Sequence, residues 1–328
     1  MQPRNRTILQ RLKIRQKEFT DSGLSNQVGA QTSKLLGADG KFRVIRTGQH
    51  AWHQFSLVHE LFTMPWGRFI FIVLTFYVTT NIIFALAYFW VGMDTFMGPV
   101  VENKMDEFLE AFFFSAQTIT TVGYGRLNPV GVAANILASL EALIGLLSFA
   151  IVTGLVFGRF SRPVANLVFS RNAIMAPFKD GKALMFRLAN TKNNDLTDVE
   201  AQVLLVLVVY DGDNFVRKYY NLELERRVIN ALALSWTVVH PITEESPLFE
   251  MTPDTMEEME AEILVTIKGF DTTFSQTVIG RTSYHYSSMV WNARFTPAFY
   301  KSEDGGETIL DLQKIHAYTK TDENSGTA

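Results

Sequence analysis

The chain has 328 residues, with 30 Lys+Arg against 33 Asp+Glu, no cysteine and a hydrophobic share of 47%. A net charge of -3 argues against a nucleic-acid binder, and the lack of cysteine excludes disulfides, Cys zinc sites and a thiol nucleophile. The mean hydropathy of +0.08 is high for a water-soluble chain and hides an uneven spread of charge.

Residues 1–48 form a basic, polar N-terminal segment. Residues 1–68 together carry eleven Lys/Arg against four Asp/Glu. Within 50–64, Trp52, Phe55, Val58 (or His59) and Phe62 recur at helical spacing up to Pro65. That pattern predicts an interfacial helix lying on the inner leaflet, with an ordinary connecting helix packed on protein as the alternative. From Phe69 to Met93 there is no charge at all, with Trp66 and Trp90 near the two ends. The run exceeds the roughly 20 residues that a helix needs to cross a bilayer, so residues 66–92 are expected to be an outer membrane span.

The segment that follows, DEFLEAFFFSAQTITTVGYGRLNPVG, fits neither a span nor an ordinary loop. Residues 106–118 can make about three helical turns, with Asp106 and Glu107 at the positive end of the helix dipole. Thr121, Val122, Gly123, Tyr124 and Gly125 then read TVGYG, the known filter sequence of potassium channels, so the match is a resemblance and not a derivation. The residue types nevertheless have a physical reason. Gly123 and Gly125 allow backbone angles closed to other residues, so that successive carbonyls can face one axis and replace the hydration shell of K+. Such non-helical backbone is tolerated at membrane depth only where protein buries it or it lines water. One filter strand per chain supplies a quarter of a cage, which predicts a homotetramer.

Residues 133–159 predict an inner span, because Glu141 is the only charge between Arg126 and Arg159. Ala142, Leu146, Phe149, Thr153 and Phe157 form a stripe suited to facing a four-fold axis. Phe157 falls at its cytoplasmic end, where four rings would make a hydrophobic gate; packing against a neighbouring helix is the alternative. An acid at a span centre costs about 2.5–3.5 kcal/mol, so Glu141 should face protein or water. It lies one position off the stripe, so it is expected behind the filter, where it could hydrogen-bond the pore helix in ionised or protonated form; a direct cation-binding role is the alternative. Arg68, Arg159 and Arg162 lie where anionic headgroups would be, with plain topology determination, which needs the same charges, as the alternative. The loop between the spans is acidic and both flanks are basic, so the positive-inside rule puts both termini in the cytoplasm. The expected location is therefore the cell (inner) membrane, multi-pass.

Beyond residue 161 the chain changes character. Val199–Tyr210, Ala233–His240, Glu262–Phe270 and Arg281–Trp291 are rich in β-branched and aromatic residues and separated by turn signals. That pattern predicts a β-sandwich over 161–315 followed by a tail, 316–328. From Asp195 onward there are 22 Asp+Glu against 10 Lys+Arg.

AFFFSAQTITTVGYG, SRPVANLVFSRNAIM, KDGKALMFRLAN, LSWTVVHPITEESPLF and RTSYHYSSMVW together resemble the inward-rectifier potassium channels, most closely the prokaryotic (KirBac-type) members. The resemblance implies a membrane α plus all-β fold. A two-span pore domain (66–160) with a re-entrant pore helix would precede a cytoplasmic immunoglobulin-like sandwich. It implies hinge or close-packing roles for Gly145 and Gly154, a narrow cytoplasmic girdle at a loop over 276–280, and regulation by anionic, phosphoinositide-like lipids. Many members carry a pore-helix glutamate where Gln117 stands, so a Glu–Arg brace to Arg126 behind the filter is in doubt; pairing of Arg126 with an acid of a neighbouring loop is the alternative.

The implied function is passive K+ conduction with no cofactor other than K+ in the filter, and with Ba2+, Mg2+ and polyamines as candidate blockers. Rectification should be weak, because Phe149 stands where strongly rectifying relatives place an acid. A membrane-anchored sensor is the competing reading, though it gives no reason for TVGYG. An enzyme is not expected, since the six His form no metal-ligand pattern and no nucleophile elbow appears.

Overall fold

The structure, a computed structural model, describes residues 40, 57–98, 103–161, 165–192, 194–211, 214–302 and 306–321. The basic segment 1–48 apart from Gly40, Trp52 and Phe55 of the expected interfacial helix, Arg162, and residues 322–328 lie outside the described residues. The chain divides into a helical unit within 46–162 and a β unit within 163–328.

The helical unit contains α1 (Leu57–Thr63), α2 (Trp66–Val91), α3 (Lys104–Ile119) and α4 (Val132–Phe160). At 1.5 Å per residue, α2 and α4 are about 39 and 43 Å long, more than the roughly 30 Å hydrocarbon core requires. Pro65 starts α2, and Gly92 ends it with a φ of 102° that a side chain would resist. The side chain of Asn103 caps α3 by accepting from the Met105 N–H. Two short strands, β1 (Phe96–Met97) and β2 (Asn128–Pro129), pair antiparallel and close the segment that contains α3.

The β unit is a sandwich of two five-stranded sheets. One has the order β11 (Gln276–His285), β10 (Glu262–Asp271), β6 (Leu196–Asp211), β7 (Asn214–Asn221), with β8 (Val228–Ala231) also on β6. The other runs β12 (Met289–Trp291), β4 (Ala173–Phe178), β5 (Gly181–Asn190), β3 (Leu167–Phe169), with β9 (Ser235–Ile242) on β5. Alternate residues of β5 (Leu184, Phe186, Leu188), β6 (Val203, Leu205, Leu207) and β10 (Ile263, Val265, Ile267) meet between the sheets. A short helix, α5 (Pro253–Glu258), precedes β10, and its Met256 is buried in the same core.

Two expectations need correction here. Residues 276–280 form no loop. They open β11, where Val278 and Gly280 pair with Gly269 and Ile267 and point inward, as strand alternation requires. Nor do residues 316–321 form a free tail. β16 (Tyr318–Lys320) pairs with β13 (Ala293–Phe295), and Ile315 is buried with Ala189 and Ala298 on the outer face of the second sheet. Those two short apolar contacts, invisible to periodicity, extend the fold. The hairpin β14 (Phe299–Lys301) with β15 (Thr308–Leu310) completes this C-terminal layer.

Candidate functional site: a filter strand and its supports

Helix α3, over the expected pore helix, ends at Ile119, and the next backbone donors turn back onto it. The N–H of Thr121 donates to the Thr118 carbonyl at 3.0 Å. Those of Val122 and Gly123 both donate to the Gln117 carbonyl, at 2.9 and 3.3 Å. Every second residue of the motif has a positive φ: 59° at Thr121, 54° at Gly123 and 76° at Gly125. This alternation departs from both helix and strand. For the two glycines it costs little, whereas for the β-branched Thr121 it is strained, as happens at sites where function needs the geometry. Nothing in the residue pattern signals the strain at Thr121, since threonine is a poor candidate for that region of backbone space. Tyr124 is 79% and Val122 53% exposed in the single chain, so this face of the segment meets little among the described residues.

Beyond the motif, Asn128 Nδ2 donates to the Gly125 carbonyl at 3.1 Å and pins the outer end of the strand. Arg126 pairs with Glu110 at 2.5 Å. The brace to an acid therefore exists within the same chain, but with a residue two helical turns before Gln117. Gln117 itself touches the TVGYG segment through its carbonyl.

Glu141 is fully buried on α4, and its carboxyl meets two hydroxyls. Tyr88 of α2 donates to Oε2 at 2.5 Å, and Ser115 of α3 contacts Oε1. Ser115 also lies 3.0 Å from Asn81 Oδ1, whose amide Nδ2 donates to the Tyr77 carbonyl at 2.7 Å. Three helices are thus joined by one polar cluster. Rings of Phe96 and Phe114 stack edge-on against Tyr88 at 5.5 and 5.1 Å and shield it on one side. The isolation of Glu141 was legible from sequence, but Tyr88, Asn81 and Ser115 were not singled out. The one signal for Asn81 was an amide side chain inside an uncharged span.

Gly145, one helical turn beyond Glu141, is buried against the carbonyl of Ile119; a Cβ there would collide with that carbonyl. The helix runs unbroken through Gly145 and Gly154, and a Cβ on Gly154 would meet nothing within 4 Å. Leu146, Phe149 and Phe157 are 59%, 73% and 73% exposed, Thr153 is exposed and Ala142 half-buried, so the expected stripe has almost no partner in the single chain.

At the other end of α4, Arg159 turns inward onto protein. Its guanidinium donates to the Leu61 carbonyl and, at 2.6 Å, to the Met64 carbonyl, closing the end of α1. It also lies over the rings of Trp66 and Phe69 at 4.6 and 4.7 Å. Phe62 rests against Gly158. Arg68 is exposed.

Comparison with known proteins agrees with this geometry. Residues 167–328 match the family described as "Inward rectifier potassium channel C-terminal domain", and residues 72–162 match the one described as "Ion channel". The inward rectifier potassium channel Kirbac3.1 of Paramagnetospirillum magnetotacticum is 35% identical over 291 residues, covering 88% of this chain and 96% of that one. The chain belongs to the inward-rectifier potassium channel family. Two vertebrate relatives are more distant. The Gallus gallus "ATP-sensitive inward rectifier potassium channel 12" is 27% identical, with 69% of this chain and 54% of that one covered. The Homo sapiens "Inward rectifier potassium channel 4" is 29% identical, with 67% and 51% covered. This chain therefore spans about half the length of those two. It is a potassium channel of the membrane, built from a two-span pore module and a β-sandwich domain.

Proposed function

We propose that four copies of this inward-rectifier channel assemble around one axis, with Thr121 to Gly125 of each copy lining the filter and both termini in the cytoplasm. The observation that carries this reading is the filter backbone, with φ positive at every second residue and its N–H groups turned to Gln117. Carbonyls so arranged in a single chain have no ion cage, and four-fold closure supplies one. The unpartnered stripe Leu146, Phe149, Thr153 and Phe157 then lines the cavity, with Phe157 as the narrow point. Glu141 is held behind the filter and Phe149 occupies the cavity face, which supports weak rectification by Mg2+ or polyamines. Arg68 and Arg162 are the residues proposed for anionic lipid. Arg159 joins them only if a headgroup competes with the Leu61 and Met64 carbonyls.

The test is rubidium uptake into liposomes that contain the purified protein. Rubidium should enter, Ba2+ should block, and sodium should be excluded; comparable sodium and rubidium uptake would overturn the filter assignment. Phe157→Ala should raise resting uptake by letting the constriction wet. A variant that closes as fully as the parent places the gate elsewhere.

A further inference from the structure

The cluster around Glu141 contains more oxygen–oxygen contacts than its hydroxyls can satisfy. There are three: Tyr88 Oη with Glu141 Oε2, Ser115 Oγ with Glu141 Oε1, and Ser115 Oγ with Asn81 Oδ1. Each needs one proton between its two oxygens. Tyr88 brings one and Ser115 brings one. Asn81 brings none, because its Nδ2 is used on the Tyr77 carbonyl. Turning that amide over would set its oxygen against the Tyr77 carbonyl at 2.7 Å, acceptor against acceptor. The third proton has one remaining source.

We infer that Glu141 is a neutral carboxylic acid in the folded channel and donates its own proton to Ser115. The cluster is then one directed chain. Tyr88 donates to Glu141, Glu141 to Ser115, Ser115 to Asn81, and Asn81 to the backbone of its own helix. Every hydroxyl proton has an acceptor and every link crosses between helices, apart from the last.

The surroundings favour the neutral form. The polar groups on the carboxyl are Tyr88 from α2 and Ser115 from α3, with Asn81 of α2 behind Ser115. The other charged side chains of the packed helices are Arg68 on α2, Arg159 on α4, and Lys104, Asp106, Glu107 and Glu110 on α3, the last of these in the first half of that helix. Glu110 is already paired with Arg126, and Arg159 is bound at Leu61 and Met64. No cation among the described residues forms an ion pair with Glu141. An ionised, unpaired carboxylate with no exposure would carry a desolvation cost that protonation removes.

Glu141 is on this account a positioning residue. Ser115 stands two residues before Gln117, whose carbonyl holds the Val122 and Gly123 N–H groups. The chain of hydrogen bonds thus fixes the pore helix to both spans and places no negative charge behind the filter.

The experiment is infrared difference spectroscopy of the purified parent channel in lipid against Glu141→Gln at neutral pH. The expected result is loss of a carboxylic-acid C=O stretching band in the variant, with rubidium selectivity kept. The amide can keep it because its Nε2 donates to Ser115 and its Oε1 accepts from Tyr88. Loss of ionised-carboxylate bands instead would overturn the proposal. Tyr88→Phe gives a second reading, in which the acid band persists and moves to higher frequency because its C=O loses a donor. A band unmoved by that change would also overturn the assignment. The bands are read without ion flux, so this result and the tetrameric-pore reading can fail independently.

Discussion

The inner helix α4 and the strand β5 are both rich in apolar residues, yet they bury different kinds of side chain. Strand β5 buries Leu184, Phe186 and Leu188 and turns its large groups into the sandwich core. Helix α4 buries only Ala134, Glu141 and Gly145, and leaves Leu140, Leu143, Leu146, Leu147 and Phe149 more than half exposed in the single chain. The β unit is held by water's exclusion from large aliphatic groups. In hydrocarbon a leucine gains little from facing another leucine, so α4 meets the other helices through small residues and hydrogen bonds, while α2 and α3 also share the buried rings of Phe84, Tyr88 and Phe114. The contrast predicts that equal truncations in the two regions will have unequal effects.

The largest effect is expected at Phe186→Ala, which empties a site in the sandwich core and should cost about 3–5 kcal/mol. It would be read as a lowered unfolding temperature of the purified channel, with filter selectivity intact in the folded fraction. Gly145→Ala should follow. The added methyl meets the Ile119 carbonyl, an overpacking of about 1–3 kcal/mol, and it pushes on the turn that leads into Thr121. Rubidium uptake should fall while the β unit melts as before. If uptake is unchanged, the close approach of α4 to the pore helix does not govern the filter.

Glu141→Ala removes the bridge between three helices. At about 0.6 kcal/mol per hydrogen bond in a membrane protein, the stability loss should be smaller than at Phe186. The test is whether sodium exclusion weakens all the same, since the loss falls on the filter's support. Leu147→Ala, on an exposed face of α4, should change stability least of these substitutions. A large loss there would show that the face is buried against protein, which in the proposed tetramer means a neighbouring copy.

Acid should act on the β unit. His240 is buried between the Glu223 carbonyl and Ser246 Oγ, and burial lowers its pKa below the ordinary histidine value of 6.5, more than the Glu223 hydrogen bond raises it. His316 shifts the same way through burial and the nearby Arg171. The unfolded chain therefore binds protons first as the pH falls. The stability that these neutral rings contribute is complete above about 6.5 and is lost as the pH drops from there toward the lowered folded value. Unfolding temperature measured down through that window should fall less steeply in His240→Asn than in the parent.

The parts of this protein that were legible from sequence rest on local rules. Two long runs with at most one charge between their flanks announce α2 and α4, and TVGYG after a short helix announces the filter. Alternating β-branched residues announce β6 and β10, and a lone acid in a span announces a group that must find partners. Each of these follows from the period of the backbone or from the cost of a charge in hydrocarbon, both of which are properties of a short stretch of chain. Tertiary structure alone decided the pairings: Glu141 with Tyr88 and Ser115, Arg126 with Glu110, and Arg159 with the carbonyls that close α1. It also turned residues 276–280 into a strand and folded β16 onto β13. Hydrogen bonds and short apolar contacts between distant residues leave no period in the sequence, because they depend on which helix faces meet and at what height. Only the packed chain fixes that.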